Sequence, residues 1–217
     1  MKTIYKNRLP HIAPVGASFF ITFRLADALP TSLVISMKQE LELIKENLKR
    51  EFPADWKMHL LAEQKGMFGK YEHQLENEPF GECLLKNTTA ANITVEKLRA
   101  YDGQYYDLWA FCIMPNHVHV LLDFSRQVTD VQQMLLSDVP EAYKQLCHVM
   151  MLIKGGTARA INLALDRKGS VWAKDSYDHY VRDEAEWHRI VHYILHNPVK
   201  ARLVQFWKEH PYTFMRS

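Results

Sequence analysis

Two strand-like runs joined by a three-residue turn constrain this chain more than any other feature of its sequence. Residues 105–113 read Tyr-Tyr-Asp-Leu-Trp-Ala-Phe-Cys-Ile, and residues 117–123 read His-Val-His-Val-Leu-Leu-Asp. Met114, Pro115 and Asn116 between them supply a turn. The connection is too short for a crossover, so the two runs pair antiparallel. Side chains alternate along a strand, so His117 and His119 project from one face. Val118 and Val120 project from the other, which is the expected core face.

The rest of the chain supplies partners for this hairpin. Residues 18–25, Ser-Phe-Phe-Ile-Thr-Phe-Arg-Leu, read as a further buried strand. Pro30 breaks the chain, and Thr31 or Ser32 is the expected cap of a helix over 33–51 whose apolar positions are Val34, Met37, Leu41, Ile44 and Leu48. Pro53 closes it. Residues 54–92, with Gly66, Gly69, Pro79 and Gly81, read as irregular, and 93–101 as a short helix capped by Thr94. After the hairpin come a helix over 141–154 ended by Gly155-Gly156, a short helix over 157–167, and a short strand at Ser170–Ala173. A last helix over 183–197 begins at Asp183-Glu184 and stops before Pro198. The order β, α, β-β, α, β plus one helix is that of an α+β, ferredoxin-like split βαβ antiparallel sheet with helices on one face. The expected organisation is one domain over 1–217 with a loop-rich or helical insertion around 52–104.

At 217 residues the chain is long enough for a sizeable core, and its 47% hydrophobic and 24% charged residues exclude collagen and low-complexity disorder. Cys83, Cys112 and Cys147 form no CxxC, which suits a reducing compartment. No secretory signal and no transmembrane run is seen, so a cytoplasmic location is expected. The net charge of +2 is unevenly spread: residues 1–26 carry +4, 27–140 carry −6 and 141–217 carry +4. Basic ends around an acidic middle fit a polyanion site and equally fit ordinary surface scatter.

His117 and His119 have the spacing to hold one divalent metal, or to be a hydrogen-bonded pair in a strand. His188, His192 and His196 form an i, i+4, i+8 stripe that suits a metal cluster or a solvated helix face. Tyr193 and Asn197 are a further i, i+4 pair on that helix. A phenol has a reference pKa of about 10. It becomes a useful nucleophile toward phosphorus when a metal polarises the phosphate. A histidine-triad hydrolase would need a third histidine where Leu121 stands, and no GxxxxGK[ST] motif is present.

Several strings resemble one family. Met114-Pro115-Asn116-His117-Val118-His119-Val120-Leu121-Leu122 is similar to the signature of the single-tyrosine HUH transposases, and more narrowly of the REP-associated tyrosine transposases. So are Phe20 to Asp27, Ser170-Val171-Trp172, Tyr177 to Glu184, and Tyr193-Ile194-Leu195-His196-Asn197-Pro198-Val199-Lys200-Ala201. The resemblance implies a ferredoxin-like fold and a magnesium or manganese ion held by His117, His119 and Asn197. It also implies that the C-terminal helix carries Tyr193 as the nucleophile, with Tyr177 and Tyr180 as runners-up.

The implied activity is cleavage and rejoining of single-stranded DNA at hairpin-forming repetitive extragenic palindromes through a 5′-phosphotyrosine, by a monomer or homodimer associated with the nucleoid. Arg8, Arg24, Lys154, Arg159, Lys174, Arg182, Lys200 and Arg202 are the candidate phosphate contacts. Trp172, Tyr177 and Tyr180 are candidate stacking residues, with a core role for Trp172 as the alternative. Rival readings are a metal nuclease that uses water and a domesticated hairpin-binding regulator that does not cut.

Overall fold

The computed structural model describes residues 3–5, 11–77, 80–128 and 142–216. Its centre is a five-stranded antiparallel sheet. In chain order the strands are β3 (Ser18–Arg24), β4 (Asp107–Ile113), β5 (His117–Asp123), β6 (Tyr177–Tyr180) and β7 (Thr213–Met215). The spatial order is β6-β3-β5-β4-β7, so β3 and β5 are interior. The first four have the order and directions of a ferredoxin-like sheet, and β7 is an added edge strand. A separate two-stranded ribbon joins β1 (Thr3–Tyr5) to β2 (His11–Ala13).

The helices are α1 (Thr31–Glu51), α2 (Trp56–Asn77), α3 (Thr88–Arg99), α4 (Leu146–Ala164) and α5 (Glu184–Lys200). On one sheet face Phe19, Ile21 and Phe23 of β3 join Val118, Val120 and Leu122 of β5 in a large apolar core. Leu98 of α3 and Val149, Ile153 and Ile161 of α4 close that core. On the other face Phe20, Ala110, Cys112 and Leu121 pack against Val191, Ile194 and Leu195 of α5. In β4 the pairing register shifts between Leu108 and Ala110. That irregularity at Trp109 lets Leu108 face the large core while Ala110, two residues on, faces α5.

Several expectations are corrected. Residues 56–77, expected to be irregular, form α2, which runs through Gly66 and Gly69; a Cβ at either glycine would meet nothing, so neither marks a special backbone approach. The next helix starts at Thr88, capped by Asn87, whose Oδ1 accepts from the amides of Thr89 and Ala90 at 2.9 and 3.3 Å. Thr94 is a buried interior residue bonded to the Ala90 carbonyl. Pro30, not Thr31 or Ser32, occupies the N-cap of α1, with no side-chain cap.

The expected break at Gly155-Gly156 is absent, and α4 is continuous from Leu146 to Ala164. Gly156 is where α4 meets α3, since a Cβ there would lie 2.8 Å from Lys97 Cε. The part of the expected helix over 141–154 that precedes residue 142 lies outside the described residues. Ser170–Ala173 contributes a single bridge, Leu25 to Trp172, and the edge strand is β6 instead. Finally α5 continues through Pro198, which is buried; packing compensates for the backbone bond that a proline removes.

Candidate active site

The second sheet face carries a polar cluster walled by α2 and α5. Thr22, Arg24, His117 and His119 project from β3 and β5, and His119 is paired with Thr22 across the strands. Both histidines are fully buried. Each has its Nδ1 engaged: His117 with Asn116 Oδ1 at 2.7 Å and His119 with Thr22 Oγ1 at 2.8 Å. Asn116 donates its own Nδ2 to the Leu75 carbonyl at 3.1 Å, so its oxygen is the atom facing His117. Thr22 donates its hydroxyl hydrogen to Glu72 Oε1 at 3.3 Å, which leaves Oγ1 to accept from His119. In the tautomers these partners select, both Nε2 atoms carry lone pairs. They face each other at 3.0 Å.

Tyr193 and Asn197 reach this cluster from one face of α5. Asp183 caps that helix by accepting from the Glu186 amide at 2.7 Å, and Glu184 and Glu186 suit its positive end. The Tyr193 ring stands edge-on to His119 with centroids 5.3 Å apart, and edge-on to Phe20 at 5.8 Å. Its hydroxyl donates to Glu72 and lies 3.0 Å from Glu76 Oε1. Asn197 Nδ2 donates to Glu76 at 2.9 Å and sits 3.3 Å from the Tyr193 oxygen. One turn on, Lys200 Nζ lies 2.6 Å from Glu76 Oε2. The four residues His117, His119, Tyr193 and Asn197 therefore come together from two elements far apart in sequence.

Sequence reasoning missed Glu72 and Glu76, because the segment holding them reads as irregular. The available signal is the helical spacing of Phe68, Tyr71 and Leu75, which puts Glu72 and Glu76 one turn apart. The ring of Phe68 stacks on Tyr177 at 3.4 Å and stands edge-on to Phe20 at 6.2 Å, which seats α2 on the strand face.

The electrostatics follow from burial. It lowers His117 to about 3, and it holds His119 well below the ordinary imidazole range, helped by His117 and Lys200. Both rings are neutral donors at physiological pH. Burial, then Glu76, pushes Glu72 up to about 8 against the pull of Tyr193, Thr22 and Lys200. Burial raises the Tyr193 phenol, and the Glu72 and Glu76 carboxylates raise it further. Among the described residues, Glu72, Glu76 and His119 form a group with ligand atoms within 4.8 Å of one another.

No protein-family model matches the chain. Over 108 residues it is 25% identical to a curated protein of Haemophilus influenzae named "Putative REP-associated tyrosine transposase". The chain resembles the REP-associated tyrosine transposases. The match covers 50% of this chain and 58% of the relative, so the chain spans less than two thirds of the curated protein it matches. A solved structure described as "Structure of the REP associates tyrosine transposase bound to a REP hairpin" aligns with 95% of this chain and 81% of its own, at 15% identity and a TM-score of 0.45.

The candidate DNA contacts divide by location. Arg8 lies outside the described residues. Arg24 is buried: it donates to the Tyr71 hydroxyl and to the Leu25 carbonyl at 3.1 Å, so it braces the strand end and is not displayed to a phosphate. Trp172 is also buried, with Nε1 donating to Thr157 at 2.7 Å and its ring edge-on to Phe23. Lys154 is half-buried, bonded to Ser176 and to the Lys174 carbonyl, and burial lowers it to about 8. Arg159, Lys174, Arg182 and Arg202 are exposed. Arg182 lies over the Tyr180 ring at 5.9 Å. Lys200 faces Glu76. No helix among the described residues is long and apolar enough to cross a membrane.

Proposed function

We propose that this protein is a metal-dependent single-tyrosine transposase or endonuclease that cleaves and rejoins single-stranded DNA at hairpin-forming repeats. The observation that carries this reading is the meeting of His117, His119, Tyr193 and Asn197 in one buried cluster. The relative's name supplies the repeat element as the candidate substrate.

The residues fit a divalent ion. Two imidazole lone pairs face each other at 3.0 Å, an arrangement that a cation between donors makes favourable. Asn197 Oδ1 is buried and has no hydrogen-bond partner among the described residues, so one further oxygen donor is at hand. His117, His119 and Asn197 would hold magnesium or manganese. Asn116 and Thr22 would fix the ring tautomers. When bound, the ion would polarise the scissile phosphate and neutralise charge on the leaving oxygen.

The chain's own groups account for the remaining chemistry. The Tyr193 oxygen forms a bond to phosphorus as the bond to the in-line 3′-oxygen breaks, giving a 5′-phosphotyrosine and a 3′-oxygen that takes a proton from solvent to become the free 3′-hydroxyl. The phenolic hydroxyl faces Glu72 and Glu76, and Glu76 Oε1, 3.0 Å away, is the acceptor within reach of its proton. Rejoining reverses the step: a 3′-hydroxyl attacks the phosphotyrosine and Tyr193 recovers its proton. The covalent link conserves the phosphodiester energy, so no nucleotide is consumed. Arg159, Lys174 and Arg182 are exposed and free to track the strand.

The test is a cleavage assay on labelled hairpin DNA with magnesium or manganese, comparing wild type with Tyr193→Phe. The expected result is a denaturation-resistant protein–DNA adduct that the variant lacks. Cleavage that survives Tyr193→Phe without an adduct would assign the site to a water-using nuclease. Tight hairpin binding with no cleavage by either protein would make it a binding regulator.

A further inference from the structure

We propose that Glu72 and Glu76, an i, i+4 carboxylate pair on α2, are ligands of the divalent ion in this site, so that α2 is a structural part of the metal centre. The inference rests on the reading of His117 and His119 as metal ligands, but not on DNA cleavage.

Geometry gives the first support. Glu72, Glu76 and His119 present ligand atoms within 4.8 Å of one another, and all three residues are buried. The cluster is not acidic alone. It includes the paired imidazoles, and it includes Asn197, which is 1% exposed and whose Oδ1 has no hydrogen-bond partner among the described residues. The Asn197 amide is fastened to Glu76 through Nδ2, which holds the group in this cluster.

Charge gives the second. Two carboxylates stand inside a site whose histidines are neutral. Among the described residues Lys200 is the cation paired with either of them, and it reaches Glu76. A divalent cation would let both carboxyl groups ionise in a surround that otherwise penalises their charge. Glu72 has instead the Thr22 and Tyr193 hydroxyls as donors and, among the described residues, no lysine or arginine as an ion-pair partner of its own.

Ligand chemistry gives the third. Two imidazoles by themselves suit zinc or copper, whereas carboxylate oxygens suit magnesium and manganese. The pair on α2 supplies the hard, anionic oxygens that a site for these ions requires. The inference thus explains how a histidine pair is turned toward magnesium or manganese in this chain.

The experiment measures metal binding and needs no DNA. Manganese is titrated into metal-free protein and the free ion followed by its electron paramagnetic resonance signal, for wild type, Glu72→Gln, Glu76→Gln and His119→Ala. The expected result is one bound ion in wild type, its loss in His119→Ala, and binding at least about tenfold weaker in each Gln variant. Zinc affinity in the Gln variants should change far less than manganese affinity. Manganese binding unchanged in both Gln variants, with His119→Ala still deficient, would overturn the carboxylate ligands and leave the proposed function standing. No ion bound by wild type would overturn both.

Hydrogen exchange on wild type answers the same question if a variant folds poorly. Amides over 69–77 should exchange more slowly when manganese is added. Unchanged or faster exchange there would overturn the inference.

Discussion

The two faces of the central sheet are built from the same strands and differ in almost everything else. On the α3/α4 face, Phe19, Ile21, Phe23, Val118, Val120 and Leu122 meet a dry apolar layer. On the α2/α5 face the alternate residues of the same strands include Thr22, Arg24, His117 and His119, all buried and all polar. The pleat separates the two tasks: one face excludes water to hold the fold, and the other buries polar groups that must satisfy one another. Burying a polar group without a partner costs about 1–3 kcal/mol, so the second face demands a nearly complete hydrogen-bond network. Among the described residues two buried oxygens there lack a hydrogen-bond partner, Asn197 Oδ1 and Glu76 Oε2, and only the second faces a cation, Lys200.

The sharpest way to break this comparison is Phe19→Ala. Phe19 is fully buried on the apolar face and packs edge-on to Phe124 at 5.6 Å. The change should cost about 3–5 kcal/mol in urea unfolding. A loss below about 1 kcal/mol would show that this face does not carry the fold.

The next effect is in the pH dependence of the metal-free protein. Glu72 titrates near 8 in the folded state and near the ordinary carboxylate value when unfolded. Between those values the native state holds a proton that the unfolded state has released. Stability therefore falls as pH rises, and the contribution is lost as pH passes through about 8. His117, lowered to about 3, works the other way, but its contribution is already complete above the unfolded imidazole value of about 6.5. The melting temperature in chelator should thus decline from about pH 6.5 to 8.5, and Glu72→Gln should flatten the decline. A flat wild-type profile would mean that the polar face is not strained by its charge.

A smaller effect separates packing from recognition. Trp172→Phe removes the indole bond to Thr157 from the apolar side and should cost about 1 kcal/mol. Hairpin affinity, measured by fluorescence anisotropy, should be unchanged; a marked drop would return Trp172 to the DNA surface. The smallest change lies outside both faces. Gly155→Ala, in the middle of α4 where a Cβ meets nothing, should raise stability by about 0.5–1 kcal/mol.

What the sequence disclosed follows the same division. The hairpin over 105–113 and 117–123, the strand over 18–25 and the helices near 33–51 and 183–197 were legible, because a single alternation or helical stripe runs through each. So was the placement of His117 and His119 opposite Val118 and Val120. Helix α2 was not legible: Gly66, Gly69 and Pro79 read as loop residues, and its apolar positions do not form one clean stripe. With it went Glu72 and Glu76, which only the folded chain brings to Tyr193. Gly155 and Gly156 misled in the same way, since a helix held on its neighbour tolerates glycine. Arg24 and Trp172 misled because charge and aromatic character do not say which side of a sheet a residue takes. Strand β7 is three residues long and pairs with β4 about a hundred residues away, beyond the reach of local pattern.

The irregularity at Trp109 makes β4 unevenly tolerant of a change in length. Replacing the side chain there loses the edge-on pair with Trp187 at 5.4 Å and the Arg216 guanidinium over its ring at 5.8 Å. Deleting Trp109 would leave Leu108 and Ala110 as neighbours on opposite faces, the sides that their pairing with Leu122 and Leu121 already gives them, so neither half of the strand reverses. A single-residue deletion should therefore be tolerated at this position far better than at Phe111, where it would reverse one half of the strand against the other.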